Sequence, residues 1–194
     1  QICKEYNITN YTINSDMSVD VNYDVRLHKK GLKKFPLNFN KVYGTFDCGS
    51  NNNLTSLKGC PKYVIGNFYC DDNELESLKY APEYIGGSFR CDSNKLNTLQ
   101  YCPKYIGENF YFFVNNIRDF TYFPKIKGEI DLYNNPIEEI WNLFKNKDYI
   151  EYFNELDIIQ QDGEVVILDR LNYFLTDIGK EEVKKDDIKK YIVK

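Results

Sequence analysis

The sequence predicts an α/β repeat protein. It is read as a short solenoid with one curved parallel sheet, a β cap at its N-terminal end and a helical cap at its C-terminal end. Three observations predict this. A proline returns every 21 residues, at Pro61, Pro82, Pro103 and Pro124. Glycine and a short apolar–x–apolar stretch follow each proline at near-constant offsets. The 194 residues include 17 Tyr and 13 Phe, enough large side chains to fill one continuous core.

Each unit repeats several columns together. Four residues before each proline stand Leu57, Leu78, Leu99 and Phe120. After it come Val64, Ile85, Ile106 and Ile126, then Gly66, Gly86, Gly107 and Gly128. The alternating pairs are Phe68-x-Cys70, Phe89-x-Cys91, Phe110-x-Phe112 and Ile130-x-Leu132. Such brief alternation is a strand signal. A unit this short cannot bury its apolar side alone, so stacked units must share a core, with parallel strands about 4.8 Å apart. An asparagine follows each strand, at Asn73, Asn94, Asn115 and Asn135. A side-chain amide both donates and accepts, so a column of them predicts a structural ladder satisfying backbone groups in the turns. A degenerate first copy carries Pro36, Gly44, Phe46, Cys48, Asn51, Leu54 and Leu57.

These columns resemble the leucine-rich repeat family. The pattern L-x-x-L-x-L-x-x-N-x-L-x-x-L maps onto Ile65, Phe68, Cys70, Asn73, Leu75 and Leu78, and recurs from Gly86 and from Gly107, where glycine replaces the first apolar residue. The wording from Leu57 through Cys60-Pro61 to Cys70 and Asn73 is similar to repeat proteins encoded by tailed phages and giant viruses. The resemblance implies a repeat fold and an interaction role, in a viral protein acting in the host-cell cytoplasm. It implies no chemistry.

The organisation read from the sequence is an N-terminal cap over 1–32, about five repeats over 33–140, and a C-terminal cap over 141–194. Ser18 to Val25 alternates and reads as one strand covering the first repeat. Beyond Pro136, helical stripes run through Ile137, Ile140, Trp141 and Phe144, through Tyr149 to Leu156, and through Ile167 to Leu175. Asp162-Gly163 marks a turn, and a short helix is expected from Asp186 to Tyr191. A separate effector domain in this tail is the alternative.

Composition excludes several functions. The net charge is −4, with both signs mixed along the chain, so no nucleic-acid partner is expected. No apolar run approaches a membrane span, and no membrane partner is expected. The first twenty residues show no charged region followed by an apolar run, so no secretion signal is expected in them. The cysteines form columns, Cys48, Cys70 and Cys91 in the strands and Cys60 and Cys102 before proline. A column of sulfurs is not a tetrahedral site and no C-x-x-C occurs, so they are read as reduced packing residues suited to the cytosol, without metal or other cofactor. His28 is the only histidine, beside Lys29 and Lys30 on an expected solvated turn. No nucleophile–base or phosphate-binding motif is present, and the chain is read as no enzyme.

If Phe68 and Cys70 face inward, their neighbours face outward. One outward column reads Asp47, Tyr69, Arg90, Tyr111, Asp131. The next reads Gly49, Asp71, Asp92, Phe113, Tyr133. Outward aromatics are typical of interface centres, and the carboxylates favour a basic partner segment. The expected partner-binding residues are therefore Tyr69, Asp71, Arg90 and Asp92, with Tyr111, Phe113, Asp131 and Tyr133, and the expected partner is a protein. Arg90 is expected to bind a partner carboxylate or to stack. The alternatives are a virion or assembly component that self-associates, and an effector with activity in the helical tail.

Overall fold

Each repeat crosses the molecule twice rather than once. The structure, a computed structural model, describes residues 1–194. It is a solenoid of about five turns with two parallel sheets. The first sheet is built from β2 (Val19–Val21), β4 (Phe39–Val42), β6 (Tyr63–Val64), β8 (Tyr84–Ile85), β10 (Tyr105–Ile106) and β12 (Lys125–Ile126), in that order. The second is built from β3 (Val25–Arg26), β5 (Phe46–Asp47), β7 (Phe68–Tyr69), β9 (Phe89–Arg90), β11 (Phe110–Tyr111) and β13 (Ile130–Asp131). The single curved sheet expected from the sequence is thus two sheets meeting at a corner.

That corner explains the glycine column. A Cβ on Gly86 would lie 2.2 Å from the Ile65 carbonyl oxygen, and one on Gly107 would lie 1.9 Å from that of Gly86. Successive turns touch backbone to backbone there, and only hydrogen fits between them. The proline lies two residues before each first-sheet strand of the regular repeats, so ladder pairing starts after it.

The core lies between the sheets. Val42, Val64, Ile85 and Ile106 enter from one side, and Phe46, Phe68, Phe89 and Phe110 from the other, all fully buried. The phenyl rings stack turn upon turn, with centroids 5.8, 5.6 and 5.2 Å apart. Cys48, Cys70 and Cys91 complete the column, fully buried and unpaired. Burial pushes all three thiols well above their ordinary range, which disfavours the thiolate that metal binding or nucleophilic attack requires.

The asparagine ladder forms in the five turns from the degenerate copy onward. Asn73 donates Nδ2 to the Cys48 and Cys70 carbonyls at 3.1 Å and accepts from the Asn51 amide at 3.1 Å. Asn94 bonds the carbonyls of Cys70 and Cys91 and the Leu75 amide. Asn115 bonds those of Cys91 and Phe112 and the Leu96 amide. Asn135 bonds those of Phe112 and Leu132 and the Ile117 amide. Asn51 of the degenerate copy bonds likewise to Leu27, Cys48 and Leu32. Each amide ties its own turn to its neighbour, so adjacent turns share their polar satisfaction as well as their core.

Both ends differ from expectation. Ser18 to Val25 is two strands, β2 and β3, with a bend between them, and both pair with the following turn. It is itself the first turn of the solenoid. Val21 and Val25 both point inward across the bend, so the alternation survives a corner that the sequence does not announce. The edge beyond it is β1 (Tyr11–Ile13), antiparallel to β2, while α1 (Ile2–Glu5) brings Cys3 into the core.

At the other end α2 (Glu138–Phe144), α3 (Ile150–Glu155) and α4 (Leu168–Asp177) follow the expected stripes. They are joined by a small sheet of β14 (Ile159–Gln160), β15 (Val165–Val166) and β16 (Ile192–Val193). The tail is therefore mixed rather than all helical, and a strand over 192–193 follows a single 3₁₀ turn at Lys185–Asp187 where the last helix was expected. Phe120 of the final repeat packs edge-on against Trp141, Phe144 and Phe153, with centroids 5.8–6.1 Å away. Lys147 donates from Nζ to the carbonyls of Lys127 and Gly128 in the corner between β12 and β13. No helix is long and apolar enough to cross a membrane.

Candidate functional site

The outer face of the second sheet brings the sequence-selected residues together. Register aligns Asp47, Tyr69, Arg90, Tyr111 and Asp131 in one row, preceded by Arg26. Tyr69, Arg90, Tyr111 and Asp131 are partly exposed, because their strand neighbours face the core. Beside this row Phe113 stacks on Tyr133, with centroids 4.7 Å apart and planes 12° from parallel. Tyr133 is 49% exposed. Tyr69, Ser88, Arg90, Tyr111, Phe113 and Asp131 line an open depression of about 370 Å³.

Local chemistry fixes these side chains. The Arg90 guanidinium binds the Asp92 carboxylate through both forks, at 3.1 and 3.3 Å, and lies 5.9 Å from the Tyr111 ring centroid. Asp92 is only 3% exposed. It therefore does not stand on the rim as expected; it holds Arg90. Arg90 in turn is engaged within its own chain, by Asp92 and beside the Tyr111 ring. The Tyr111 hydroxyl accepts from Asn109 Nδ2 at 3.0 Å, which orients the ring.

The rim is then carried by fewer carboxylates. Asp71 and Asp131 are partly exposed. Partial burial pushes the Asp71 carboxyl above its usual range, with the Arg90 charge opposing. Desolvation likewise pushes the Tyr69 hydroxyl up. Asp47 accepts from the Gly49 amide at 3.0 Å and lies 3.5 Å from His28 Nδ1, so the lone histidine belongs to this face rather than to a free turn. Asp131 accepts from the Tyr133 amide at 3.3 Å. The depression is lined by the Tyr69, Tyr111 and Phe113 rings, the Ser88 hydroxyl, the Asp131 carboxylate and the internally paired Arg90, and Ser88 Oγ donates to Glu108 Oε2 at 2.9 Å.

A second set of exposed tyrosines escaped the sequence reading. Tyr63, Tyr84 and Tyr105 form a register-aligned column on the outside of the first sheet, with Tyr84 and Tyr105 stacked at 5.2 Å. Tyr80, Tyr101 and Tyr122 occupy the corner leading into that sheet, with φ of 74°, 67° and 63°. Both columns recur with the prolines and are visible as Tyr two places after Pro and Tyr two places before it. Compared with protein-family models, curated proteins and solved structures, the chain finds no match in any of the three.

Proposed function

We propose that this chain is a non-enzymatic protein-interaction module that binds a basic segment of a partner protein on the outer face of the second sheet. The observation that carries this reading is the register-aligned row Tyr69, Arg90, Tyr111, Asp131, flanked by the stacked Phe113–Tyr133 pair. Partly exposed aromatics around a depression give an anchor large apolar contact, and Asp71 and Asp131 favour positive charge at its edge. The asparagine ladder and apolar columns support a leucine-rich-repeat type. The resemblance to phage and giant-virus repeat proteins supports action in a host-cell cytoplasm.

The test is an affinity capture from host-cell lysate, read by mass spectrometry. The wild-type chain runs beside Tyr69→Ala/Tyr111→Ala/Phe113→Ala, with unchanged circular dichroism as the folding control. The expected result is a partner held by the wild type and lost by the variant. Equal capture by both would move the site off this face.

A further inference from the structure

The two outer faces carry opposite charge. The first sheet and its corners present Lys41, Lys62, Lys104, Lys125 and Lys127. None has a carboxylate within 4 Å. Three carboxylates share that face or its edge, Glu83, Asp16 and Asp20; Asp16 lies within the field of Lys62, and Asp20 is tied into hydrogen bonds from Asn14, Asn40 and the Lys41 amide. On the second sheet Asp24 is paired with Arg26 and Asp92 with Arg90. Asp71, Glu129 and Asp131 have no lysine or arginine within 4 Å, and Asp47 has only His28. A chain with net charge −4 thus presents mainly lysines on the first sheet and mainly carboxylates on the second.

The basic face also carries half-exposed aromatic rings. Tyr80, Tyr101 and Tyr122 are 50%, 52% and 58% exposed. Each sits at positive φ, where the preceding repeat has Gly59 at φ 100°. A bulky residue in the left-handed region costs about 1–2 kcal/mol. About half of each ring stays in solvent, so the strain points to a role at the surface. The stacking of Tyr84 on Tyr105 covers ring faces along the column and leaves edges and hydroxyls outward. That disfavours a ligand that stacks between rings, such as a base or a sugar, and suits a protein surface offering carboxylates.

We propose that the lysine–tyrosine face of the first sheet docks on the acidic face of the second sheet of another copy of this chain. The proposal rests on the reading that the second sheet binds basic surface, and it names one such surface. Both faces share a turn spacing of about 4.8 Å, so lysines on one can meet carboxylates that stand a whole number of turns apart on the other. The contact is heterologous: each copy keeps one face of each kind, and the series is open-ended.

Sedimentation velocity over a concentration series at low and high salt tests it. The wild type is expected to rise above its monomer mass of 23.0 kDa with concentration at low salt, and to fall back at high salt. Lys62→Gln/Lys104→Gln removes the charge of one face and Asp71→Asn/Glu129→Gln that of the other. Each alone is expected to stay monomeric, while their equimolar mixture forms a dimer and nothing larger, since one intact pair of faces remains. That complementation also shows both variants folded. A wild type monomeric at every concentration, or variants that associate as the wild type does, would overturn the proposal. A parallel titration with a lysine-rich peptide separates the two readings. Peptide binding by a strictly monomeric wild type would leave the proposed function standing and remove this inference alone.

Discussion

The two sheets come from the same turns of chain, yet their outer faces differ. Toward the core both repeat nearly unchanged residues: Val or Ile on one side, Phe on the other. Outward, the first sheet stays repetitive through Tyr63, Tyr84 and Tyr105, whereas the second changes row by row through Arg26, Asp47, Tyr69, Arg90, Tyr111 and Asp131. The core demands sameness, because each residue packs against its own copy one turn away. The outside is free of that demand. A repetitive face suits a repetitive partner, including another copy, and a varied face suits one particular sequence.

Substitutions can break or sharpen this contrast. The largest effect is expected at the corner both faces share. Gly107→Ala pushes a methyl group into the Gly86 carbonyl. It should cost about 3 kcal/mol or more, at the top of the overpacking range, and unfold both sheets together in urea titration. Next comes a change that acts on one side. Asn73→Ala leaves the Asn51 amide without its partner, while the Cys48 and Cys70 carbonyls keep only the bonds from Asn51 and Asn94. A loss of about 2 kcal/mol is expected, mostly from the orphaned buried amide. Hydrogen exchange should accelerate around β5 and β7 before β4 and β6.

A smaller change of opposite sign is expected on the first-sheet side. Tyr101→Gly relieves the positive φ but adds glycine's unfolded-state freedom, so a net gain of about 0.5 kcal/mol is expected by thermal melting. If Tyr101 serves the surface, that more stable variant should also self-associate less. Unchanged or lower stability would mean that the ring earns its place by packing.

The smallest effect belongs to Asp71. Its folded pKa is raised by burial above the unfolded value of about 3.9. The ionised carboxylate is therefore disfavoured in the fold at neutral pH, and stability recovers as pH falls through the folded pKa toward the unfolded one. Asp71→Asn should raise the melting temperature slightly at neutral pH, by less than about 1 kcal/mol in stability, and the gain should vanish below about pH 3.5. A gain that persists there would assign the effect to packing instead of charge.

The period, the inward Phe and Cys columns and the asparagine ladder were all legible in the sequence. Each is a residue that must recur at the same place in every turn, and recurrence needs no knowledge of shape. The second strand per turn was not legible. Tyr63–Val64 and Phe68–Tyr69 are two residues each, too short to show a period, and the corner between them preserves the inward positions. The same shortness hid β14, β15 and β16, and β16 pairs with a strand far from it in sequence. Within the candidate site the row on the second sheet was legible from alternation alone. The burial of Asp92 was not, because it depends on Arg90 folding back two residues along its own strand. The charge on the first sheet escaped because its lysines are spread singly over the turns and gather only when the chain coils.

The most direct test of the central claim is hydroxyl-radical footprinting with a lysine-rich peptide, at a concentration where sedimentation shows the chain monomeric. Tyr69, Tyr111, Phe113 and Tyr133 should be protected on binding, while Tyr63, Tyr84 and Tyr105 keep their reactivity. Protection confined to the first-sheet tyrosines, or spread equally over both sets, would contradict the assignment of the varied face as the binding site.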